Sequence, residues 1–540
     1  MSATREAGFL APAPVMARLL GIWRTRVGLQ AVMMGLLAGL GQPPLHLWPL
    51  TLVGITWLVR AFDQCAAKPD RLRSAFKIAF QFGLGYFLLT MHWLGAPFLQ
   101  VESARALMPL GFLLIPVLAL FWGAAGAGAL AAWPRDVRRI PWFAAVFMAA
   151  EWLRGHVFGG LPWVLVGYVW PAGGAVSQLA SFVGVYGLTG LTLAAFAAPA
   201  LLLEPHVRPR LRPLPVLGLL FLLGFLYTSG AQRLAQARGE GADFKVRVVD
   251  SGLTQMEKWG ADGPWRVFER YLELTGPASA DAADVVVWPE SAIPGLLLQS
   301  PALLQALGAH LEDRVLITGL ARAELLEGQP ERYFNSVAVL DAVHGDLRVG
   351  QLYDKVRLVP FGEFIPLLGL VQAVGLNLKA VQQIGTGFTA GPGPVRLAVP
   401  GAAPASPLIC YEAIFPHFIA GEERGDWIVN VTNDAWFSYG AGWPAVGPAQ
   451  HYNQARYRAI ELGLPMARAA SGGVSAIIDP FGRAVAATSG EGGAVEAFVS
   501  KPLFGTLFNS FGFAITPLLA LILGGMRAWP RRVRKGVPNE

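Results

Sequence analysis

The feature that most constrains this chain is a series of long apolar runs in its first 230 residues. A bilayer core about 30 Å thick needs about 20 apolar residues in helical form. One further run of this kind lies near the carboxyl terminus, whereas the region between reads as an ordinary globular chain. Eight segments are therefore predicted to span a membrane: 27–41, 45–62, 75–97, 106–133, 140–156, 176–203, 213–230 and 506–526.

Clusters of basic residues set the predicted orientation of these spans. They lie before the first span, after the second, fourth and sixth, and after the eighth, so all fall on one side if the spans alternate. By the positive-inside rule that side is the cytoplasm. The clustered residues are Arg18, Arg24, Arg26, Lys68, Arg71, Arg73, Arg135, Arg138, Arg139, Arg208, Arg210, Arg212, Arg527, Arg531, Arg532, Arg534 and Lys535.

This topology predicts how the chain is divided. It consists of a cytoplasmic N-terminal segment, seven transmembrane helices, an extracytoplasmic domain, an eighth helix and a basic cytoplasmic tail, at 1–26, 27–230, 240–500, 506–526 and 527–540. Both termini are then cytoplasmic. The two cysteines, Cys65 and Cys410, lie on opposite sides of the membrane, which excludes a disulfide between them.

Composition and residue spacing argue against a nucleic-acid-binding protein and against a metal-binding site. Only 15% of the residues are charged, against about 25% in a typical soluble domain. The net charge of +7 comes from clusters between apolar runs, and no nucleic-acid-binding motif accompanies them. No metal or other cofactor is expected, because the sequence has no Cys-x-x-Cys or His-Glu-x-x-His spacing and few histidines.

Between the seventh and eighth spans, short β-like runs alternate with helical patterns, which is typical of an α/β or layered α+β domain. The predicted strands are Lys245–Val249, Asp284–Trp288, Val315–Gly319, Ser336–Leu340, Pro407–Cys410 and Trp427–Val431. The predicted helices are Pro264–Thr275, Ser300–Leu311 and Pro448–Leu462.

Three residues of this domain are candidates for covalent chemistry. Cys410 ends an apolar strand-like run, and nucleophiles often occupy the turn at the end of a strand. The alternative is a buried cysteine acting as a small hydrophobe. Glu290 also follows an apolar strand, although a lone glutamate is more often an exposed loop carboxylate. Lys355 lies among apolar residues, where its alternative is a solvated lysine lying over apolar surface. Together they supply a nucleophile, a base and a cation.

The segments around these residues resemble the Glu-Lys-Cys triad of the nitrilase superfamily and, within it, the apolipoprotein N-acyltransferase family. The resemblance covers about residues 30 to 525. It is carried by Glu-Trp-Leu-Arg-Gly at 151–155, Leu-Pro-Trp at 161–163, Trp-Pro-Glu-Ser-Ala at 288–292, Tyr-Asp-Lys-Val-Arg-Leu-Val-Pro-Phe-Gly-Glu at 353–363, Cys-Tyr-Glu at 410–412 and Thr-Asn-Asp-Ala-Trp-Phe at 432–437.

The resemblance implies an α-β-β-α sandwich and a role for each matching residue. Glu290 is implied as the general base, Lys355 as the cation that stabilises an oxyanion, and Cys410 as the nucleophile. A second carboxylate, Glu363, is implied to orient Lys355. Four further residues match positions of the active-site wall, with plain structural packing as the alternative: Tyr411, Glu412, Asn433 and Trp436.

The implied reaction is transfer of an acyl chain from a membrane phospholipid, through a Cys410 thioester, to the α-amino group of a diacylglyceryl-modified apolipoprotein. The implied location is the bacterial inner membrane, with the catalytic domain in the periplasm. Two alternatives stay open. One is a membrane-tethered amidohydrolase, in which water takes the acyl group, and the other is a non-catalytic membrane scaffold or transporter.

Two further segments carry predictions. Residues 364–390 are too apolar for a solvated loop and too short to span, which predicts an arm that dips into the outer leaflet; the alternative is a helix packed on the domain. Glu151 and Arg154 lie near the outer end of the fifth span, and their spacing permits an ion pair within one helix.

Overall fold

The structure is a computed structural model that describes residues 26–528 with internal gaps. The residues outside it are 1–25, 101, 204–213, 236–240, 259–262, 280, 326–330, 361, 365–386, 420–423, 441, 504 and 529–540. Three predictions therefore lie wholly or largely outside the described residues: those on the N-terminal segment, on the apolar arm and on the basic tail.

A long helix lies in each of the eight segments predicted to span a membrane. In chain order, the long helices of the described residues are α1 (Arg26–Gly39), α2 (Trp48–Cys65), α3 (Arg71–Thr90), α4 (Leu114–Ala131), α5 (Arg139–Arg154), α6 (Ala180–Ala197), α7 (Leu214–Ala235), α8 (Gly263–Thr275), α9 (Pro301–Leu311), α10 (Val446–Leu462) and α11 (Leu507–Gly525). The eight apolar helices are α1 to α7 and α11.

Small residues allow the apolar helices to pack closely. A Cβ atom on Gly35 of α1 would lie 2.0 Å from the carbonyl oxygen of Phe82 in α3. A Cβ atom on Gly85 of α3 would lie 2.1 Å from the carbonyl oxygen of Val32 in α1. The two helices therefore meet backbone to backbone, as small residues permit in helix pairs within membranes.

Length and hydropathy together qualify two of these helical stretches to cross a membrane, Ala104–Ala131 and Val176–Leu202. A third crossing is possible if Arg71–Thr90 and His92–Leu99, which are bent by 65° at their junction, form one broken span. Two shorter apolar stretches of helix lie over Arg26–Gly39 and Ala514–Ala528, at the two ends of the described part of the chain. The count of eight spans and their orientation therefore stay predictions.

The apolar helices α1 to α7 and α11, with their connecting loops, form the apolar half of the chain. An ion pair is buried in this half, as the spacing of Glu151 and Arg154 in α5 permits. Arg154 Nη2 lies 2.5 Å from Glu151 Oε2, and both side chains are 1% exposed. The second oxygen of Glu151 accepts a hydrogen bond from Trp122. Arg154 also donates to the carbonyl oxygens of Leu161 and Trp163, at 2.5 and 2.9 Å. The pair therefore fixes the loop after α5 as well as the helix itself.

We expect Arg154→Leu to lower the free energy of unfolding by about 3–5 kcal/mol, because it leaves the Glu151 carboxylate buried without its partner. A matched control is Arg105→Leu. Arg105 also pairs with a glutamate three residues away, Glu102, but their side chains are 50% and 90% exposed, so its loss should cost less than about 1 kcal/mol. Thermal unfolding of both variants in detergent measures the difference. Equal shifts would contradict a structural role for the buried pair.

Two β-sheets form the second half of the chain. The strands are β1 (Gly241–Asp250), β2 (Val285–Trp288), β3 (Val315–Glu324), β4 (Arg332–Val343), β5 (Asp346–Asp354), β6 (Ala405–Ile409), β7 (Trp427–Asn433), β8 (Met466–Ser471), β9 (Ala476–Ile478), β10 (Ala484–Ala487) and β11 (Gly493–Ser500). One sheet has the order β11-β1-β2-β3-β4-β5, and the other has the order β10-β9-β8-β7-β6. In the first sheet β1, β2 and β3 are parallel, as are β6, β7 and β8 in the second.

The two sheets pack face to face and are covered by helices on their outer faces. Valines and isoleucines of both sheets, such as Val287 and Val429, form one buried cluster between them. The outer face of the first sheet packs against α8 and α9, and that of the second packs against α10. The domain is therefore an α-β-β-α sandwich, which confirms the fold that the resemblance implies.

The six predicted strands and three predicted helices of this domain are confirmed, with ends shifted by up to five residues. Five strands were not predicted: β5 and β8 to β11. The side chains of β5 are mostly exposed, and β8 is rich in alanine, which has low β-propensity. Neither strand therefore has the apolar β-branched pattern that marks the others.

Candidate active site

The three predicted catalytic residues follow three strands that end at the same edge of the sandwich. Glu290 lies two residues after β2, and Lys355 and Cys410 come directly after β5 and β6. Strand β5 runs in the same direction as β2, because β3 is parallel to β2 and the two steps to β4 and β5 are antiparallel. The backbone N–H of Asn433, at the end of β7, donates to Glu290 Oε2 at 2.9 Å and joins the two sheets.

Two carboxylates share one ammonium in this site. Lys355 Nζ lies 3.2 Å from Glu290 Oε1 and 2.8 Å from Glu363 Oε1. The side-chain amide of Asn335, on β4, donates to the same two oxygens at 2.7 and 2.9 Å. The other oxygen of Glu363 accepts the N–H of Val359 at 2.8 Å. Glu363 therefore lies where the resemblance implies, beside Lys355.

Burial and the two carboxylates have opposite effects on the pKa of Lys355, whose side chain is 1% exposed. Burial disfavours the ammonium, but the negative charges of Glu290 and Glu363 outweigh it and raise the pKa of Lys355. The lysine is thus a permanent cation at neutral pH. A fixed cation in a buried site can stabilise negative charge that develops on a nearby substrate oxygen.

Cys410 forms a strained elbow at the end of β6. Its φ angle is +47°, a left-handed conformation that is uncommon for a residue with a Cβ atom. The residue is 4% exposed. Burial raises the pKa of the thiol, the negative charge of Glu290 raises it further, and the charge of Lys355 lowers it. The resting group is therefore a neutral thiol that needs a base to become nucleophilic.

This pKa shift predicts the behaviour of Cys410 in a titration. Because its pKa is raised above the usual value of about 8.5, Cys410 should stay protonated throughout the range from neutral to mildly alkaline pH. Thiolate absorbance in the ultraviolet, taken as the difference between the wild-type protein and Cys410→Ala, measures this state. A thiolate signal already present at neutral pH would contradict the expectation.

Glu412 makes hydrogen bonds to both segments that carry the candidate catalytic residues Lys355 and Cys410. It is fully buried. One oxygen accepts hydrogen bonds from Tyr353 Oη at 2.7 Å and from the N–H groups of Val356 and Arg357 at 2.8 and 3.2 Å. The other accepts the N–H of Ile409 at 2.8 Å. Glu412 thus ties the segment on either side of Lys355 to the turn that carries Cys410.

The other predicted wall residues have different surroundings. Tyr411 is buried, and its hydroxyl donates to the carbonyl oxygen of Gly160 in the apolar half. Asn433 holds Glu290 through its backbone, as described above. Trp436 is partly buried in the turn after β7, and its indole makes no hydrogen bond to the triad among the described residues. Among the described residues, Asn433 is thus the one of these three with a hydrogen bond to a candidate catalytic side chain.

Sequence reasoning missed Asn335, which touches both carboxylates. The available signal was a polar residue inside the apolar run of β4, between Phe334 and Val337, where a buried amide needs hydrogen-bond partners. Among the described residues, no group of three or more His, Cys, Asp or Glu side chains could hold a metal ion. The groups that the structure does bring together here, a thiol, two carboxylates and an ammonium, can carry out acid–base and nucleophilic chemistry.

The active-site domain is docked onto the loops of the apolar half. Gln450, on α10, accepts hydrogen bonds from Trp93 Nε1 at 3.0 Å and Trp163 Nε1 at 2.8 Å, and donates to the carbonyl oxygen of Thr90 at 2.9 Å. The N–H of Val185 in α6 donates to Glu461 of α10 at 2.7 Å. The domain that carries Cys410 therefore packs directly against the apolar half of the chain through α10.

Comparison with known proteins matches both halves of the chain. Residues 252–495 match the family model described as carbon-nitrogen hydrolase, and residues 34–199 match the apolipoprotein N-acyltransferase N-terminal domain. An amidase of known structure from Nesterenkonia sp. aligns with 49% of this chain and 92% of its own, at 18% identity and a TM-score of 0.35. Fold, site and family model together define a carbon–nitrogen hydrolase-type domain joined to apolar helices.

Two curated relatives extend over most of the chain. A protein of Allorhizobium ampelinum named apolipoprotein N-acyltransferase is 38% identical over 480 residues, which are 86% of this chain and 88% of that protein. One of the same name from Caulobacter vibrioides is 36% identical over 517 residues, 94% of each chain. The chain belongs to the apolipoprotein N-acyltransferase family, which confirms the resemblance drawn from its motifs.

Proposed function

We propose that this protein transfers an acyl chain from a membrane phospholipid to the α-amino group of the diacylglyceryl-modified N-terminal cysteine of an apolipoprotein. The observation that carries this proposal is a buried Cys410, whose thiol pKa is affected by the charges of Glu290 and Lys355, on a domain docked against apolar helices. Membership of the family supports N-acylation of lipoproteins. The phospholipid donor and the thioester are inferred from the chemistry of the site.

In the first step Glu290 takes the proton of the Cys410 thiol, and the sulfur attacks the ester carbonyl of the phospholipid. The carbonyl oxygen becomes an oxyanion, which the Lys355 ammonium stabilises. When the tetrahedral intermediate collapses, the C–O bond of the ester breaks and the alkoxide takes the proton back from Glu290. The products are a Cys410 thioester and a lysophospholipid.

In the second step the α-amino group of the lipoprotein cysteine attacks the thioester carbonyl. Glu290 accepts a proton from the attacking nitrogen, the C–S bond breaks, and the sulfur of Cys410 takes up that proton. An amide forms and the enzyme returns to its starting state. Covalent catalysis of this kind divides one difficult transfer into two easier ones.

We also propose the topology predicted by the basic clusters. Eight helices span the bacterial inner membrane, residues 240–500 face the periplasm, and both termini are cytoplasmic. The positions of the eight apolar helices and the alternation of Lys and Arg between them support this arrangement. Reporter fusions placed in each connection would measure the side on which it lies.

One transfer assay tests the reaction. The protein is reconstituted in vesicles whose phospholipid carries a labelled acyl chain, together with a diacylglyceryl lipopeptide. We expect label on the peptide, and none on a matched lipopeptide whose α-amino group is acetylated. Release of label only as free fatty acid would show that the protein is a hydrolase and not a transferase. No turnover of phospholipid at all would reject both.

A further inference from the structure

A buried histidine contacts the main chain of the proposed nucleophile. His451 lies on α10 and is fully buried. Its Nε2 is 3.1 Å from the carbonyl oxygen of Cys410, and its Nδ1 is 2.8 Å from Asp434 Oδ1. A carbonyl oxygen can only accept, so Nε2 must carry the proton for this hydrogen bond to form. His451 therefore acts on Cys410 through its backbone, not through its sulfur.

The histidine ring is held in place from its other side. Asp434 Oδ2 lies 2.6 Å from Nη2 of Arg468, and Asp434 Oδ1 accepts the hydroxyl of Thr432 at 2.9 Å. Burial raises the pKa of Asp434, but the charges of Arg468 and His451 outweigh that effect and lower it. Asp434 is thus a carboxylate beside Nδ1, and both hydrogen bonds form together when the imidazole carries a proton on each ring nitrogen. The carboxylate fixes the ring so that Nε2 points at Cys410.

The apolar half supplies the face on which this ring rests. Trp163 belongs to the loop that follows α5, and its ring stacks on His451 with centroids 5.4 Å apart and planes at 23°. Its indole nitrogen donates to Gln450, the residue before His451. Phe437 packs edge-on against the same imidazole at 5.5 Å and 88°. The histidine is therefore confined between the two halves of the chain.

We propose that His451 is a positioning residue, whose Nε2–H donates to the Cys410 carbonyl and so keeps the nucleophile in its left-handed conformation. Trp163 of the apolar half stacks on the imidazole and fixes its position. This inference rests on the proposed function. A left-handed backbone is unfavourable for a residue with a Cβ atom, so Cys410 keeps φ at +47° only while its neighbours hold it there. The hydrogen bond from His451 is a contact of that kind.

Two conservative substitutions separate positioning from packing. In His451→Gln the amide nitrogen can occupy the place of Nε2 and still donate to Cys410. In His451→Asn the shorter amide can replace only Nδ1 and donate to Asp434. We expect His451→Asn to slow formation of the Cys410 thioester about 100-fold, with the KM for phospholipid little changed. His451→Gln should keep a rate close to that of the wild-type protein.

A second pair of variants tests the contribution of the apolar half. Trp93 and Trp163 both donate to Gln450 and both pack against Phe437. Trp163 also stacks on His451, and no ring contact between Trp93 and His451 occurs in the described part of the chain. We expect Trp163→Leu to slow thioester formation about 10-fold or more, and the matched control Trp93→Leu to leave that rate nearly unchanged.

The readout is single-turnover formation of the thioester, followed by mass spectrometry of the intact protein, with thermal unfolding measured for every variant. Equal rates for His451→Asn and His451→Gln beside an active wild-type protein would overturn the positioning role. So would rates that simply follow the loss in thermal stability. A wild-type protein that forms no thioester would instead reject the proposed function, and this inference with it.

Discussion

Cys410→Ala is expected to abolish acyl transfer, with a loss of about 10⁴-fold or more, because no other group in the site can form the thioester. The substitution removes one buried sulfur and leaves the network of Glu290, Lys355 and Glu363 in place. The variant should therefore fold and still be isolated from membranes. Transfer of labelled acyl chain to the lipopeptide, and the mass of the acylated protein, measure the effect.

The second cysteine supplies the control for this experiment. Cys65, on α2, is also buried and also free, so Cys65→Ala removes a buried thiol without touching the site. We expect that variant to transfer acyl chains at nearly the wild-type rate. Substantial transfer by Cys410→Ala would show that the nucleophile lies elsewhere, and loss of activity in Cys65→Ala would show that cavity formation alone explains the result.

Glu290→Gln is expected to slow thioester formation by about 10³-fold or more, since the amide cannot accept the thiol proton. The substitution keeps the shape of the side chain and its hydrogen bond from Asn433. It also removes one of the two carboxylates that surround Lys355, so some of the loss will come from the changed charge of the site. Single-turnover acylation at several pH values measures the rate.

Glu363→Gln is the matched control, because it removes an equal charge at a similar distance from Lys355. Glu363 lies 2.8 Å from the lysine, but of these two glutamates Glu290 is the one named by its effect on Cys410, because its charge raises the pKa of that thiol. We therefore expect Glu363→Gln to retain more activity than Glu290→Gln. A higher activity in Glu290→Gln than in Glu363→Gln would identify Glu363 as the base instead.

Part of the candidate site can be predicted from the sequence alone. Cys410 and Glu290 stand out as candidates in the sequence because each follows or nearly follows an apolar strand. Lys355 follows β5, whose side chains are mostly exposed, so only its apolar neighbours in the sequence and the resemblance mark it. Asn335 was missed because its partners lie 45 and 28 residues away along the chain. Its role depends on how two loops approach β4, which no local pattern encodes.

Glu412 marks a different limit. The motif predicts a position in the active-site wall, with structural packing as the alternative, and it does not predict which groups the carboxylate contacts. Its hydrogen-bond partners come from two separate segments, Ile409 on one side and the stretch from Tyr353 to Arg357 on the other. A buried carboxylate with four donors can be recognised only when those segments are seen together.

The apolar half was predicted well in position and less well in length. Each predicted span contains a helix, but α3 ends at Thr90, inside the predicted span 75–97, and is followed by a bend of 65°. Hydropathy detects apolar sequence and cannot see where a helix ends or bends. The fold of the second half was clearer, because alternating Val-rich strands and amphipathic helices leave few architectures available.

The contact of Gln450 with Trp93, Trp163 and Thr90 has a consequence for how such proteins can diverge. One amide satisfies two indoles and a carbonyl from the other half of the chain, so loss of Gln450 leaves three buried polar groups of that half without this partner. Exchange of whole halves between distant relatives should then yield poorly active chimeras unless these partners are exchanged together. Recombination within either half, away from this junction, should be tolerated far more readily.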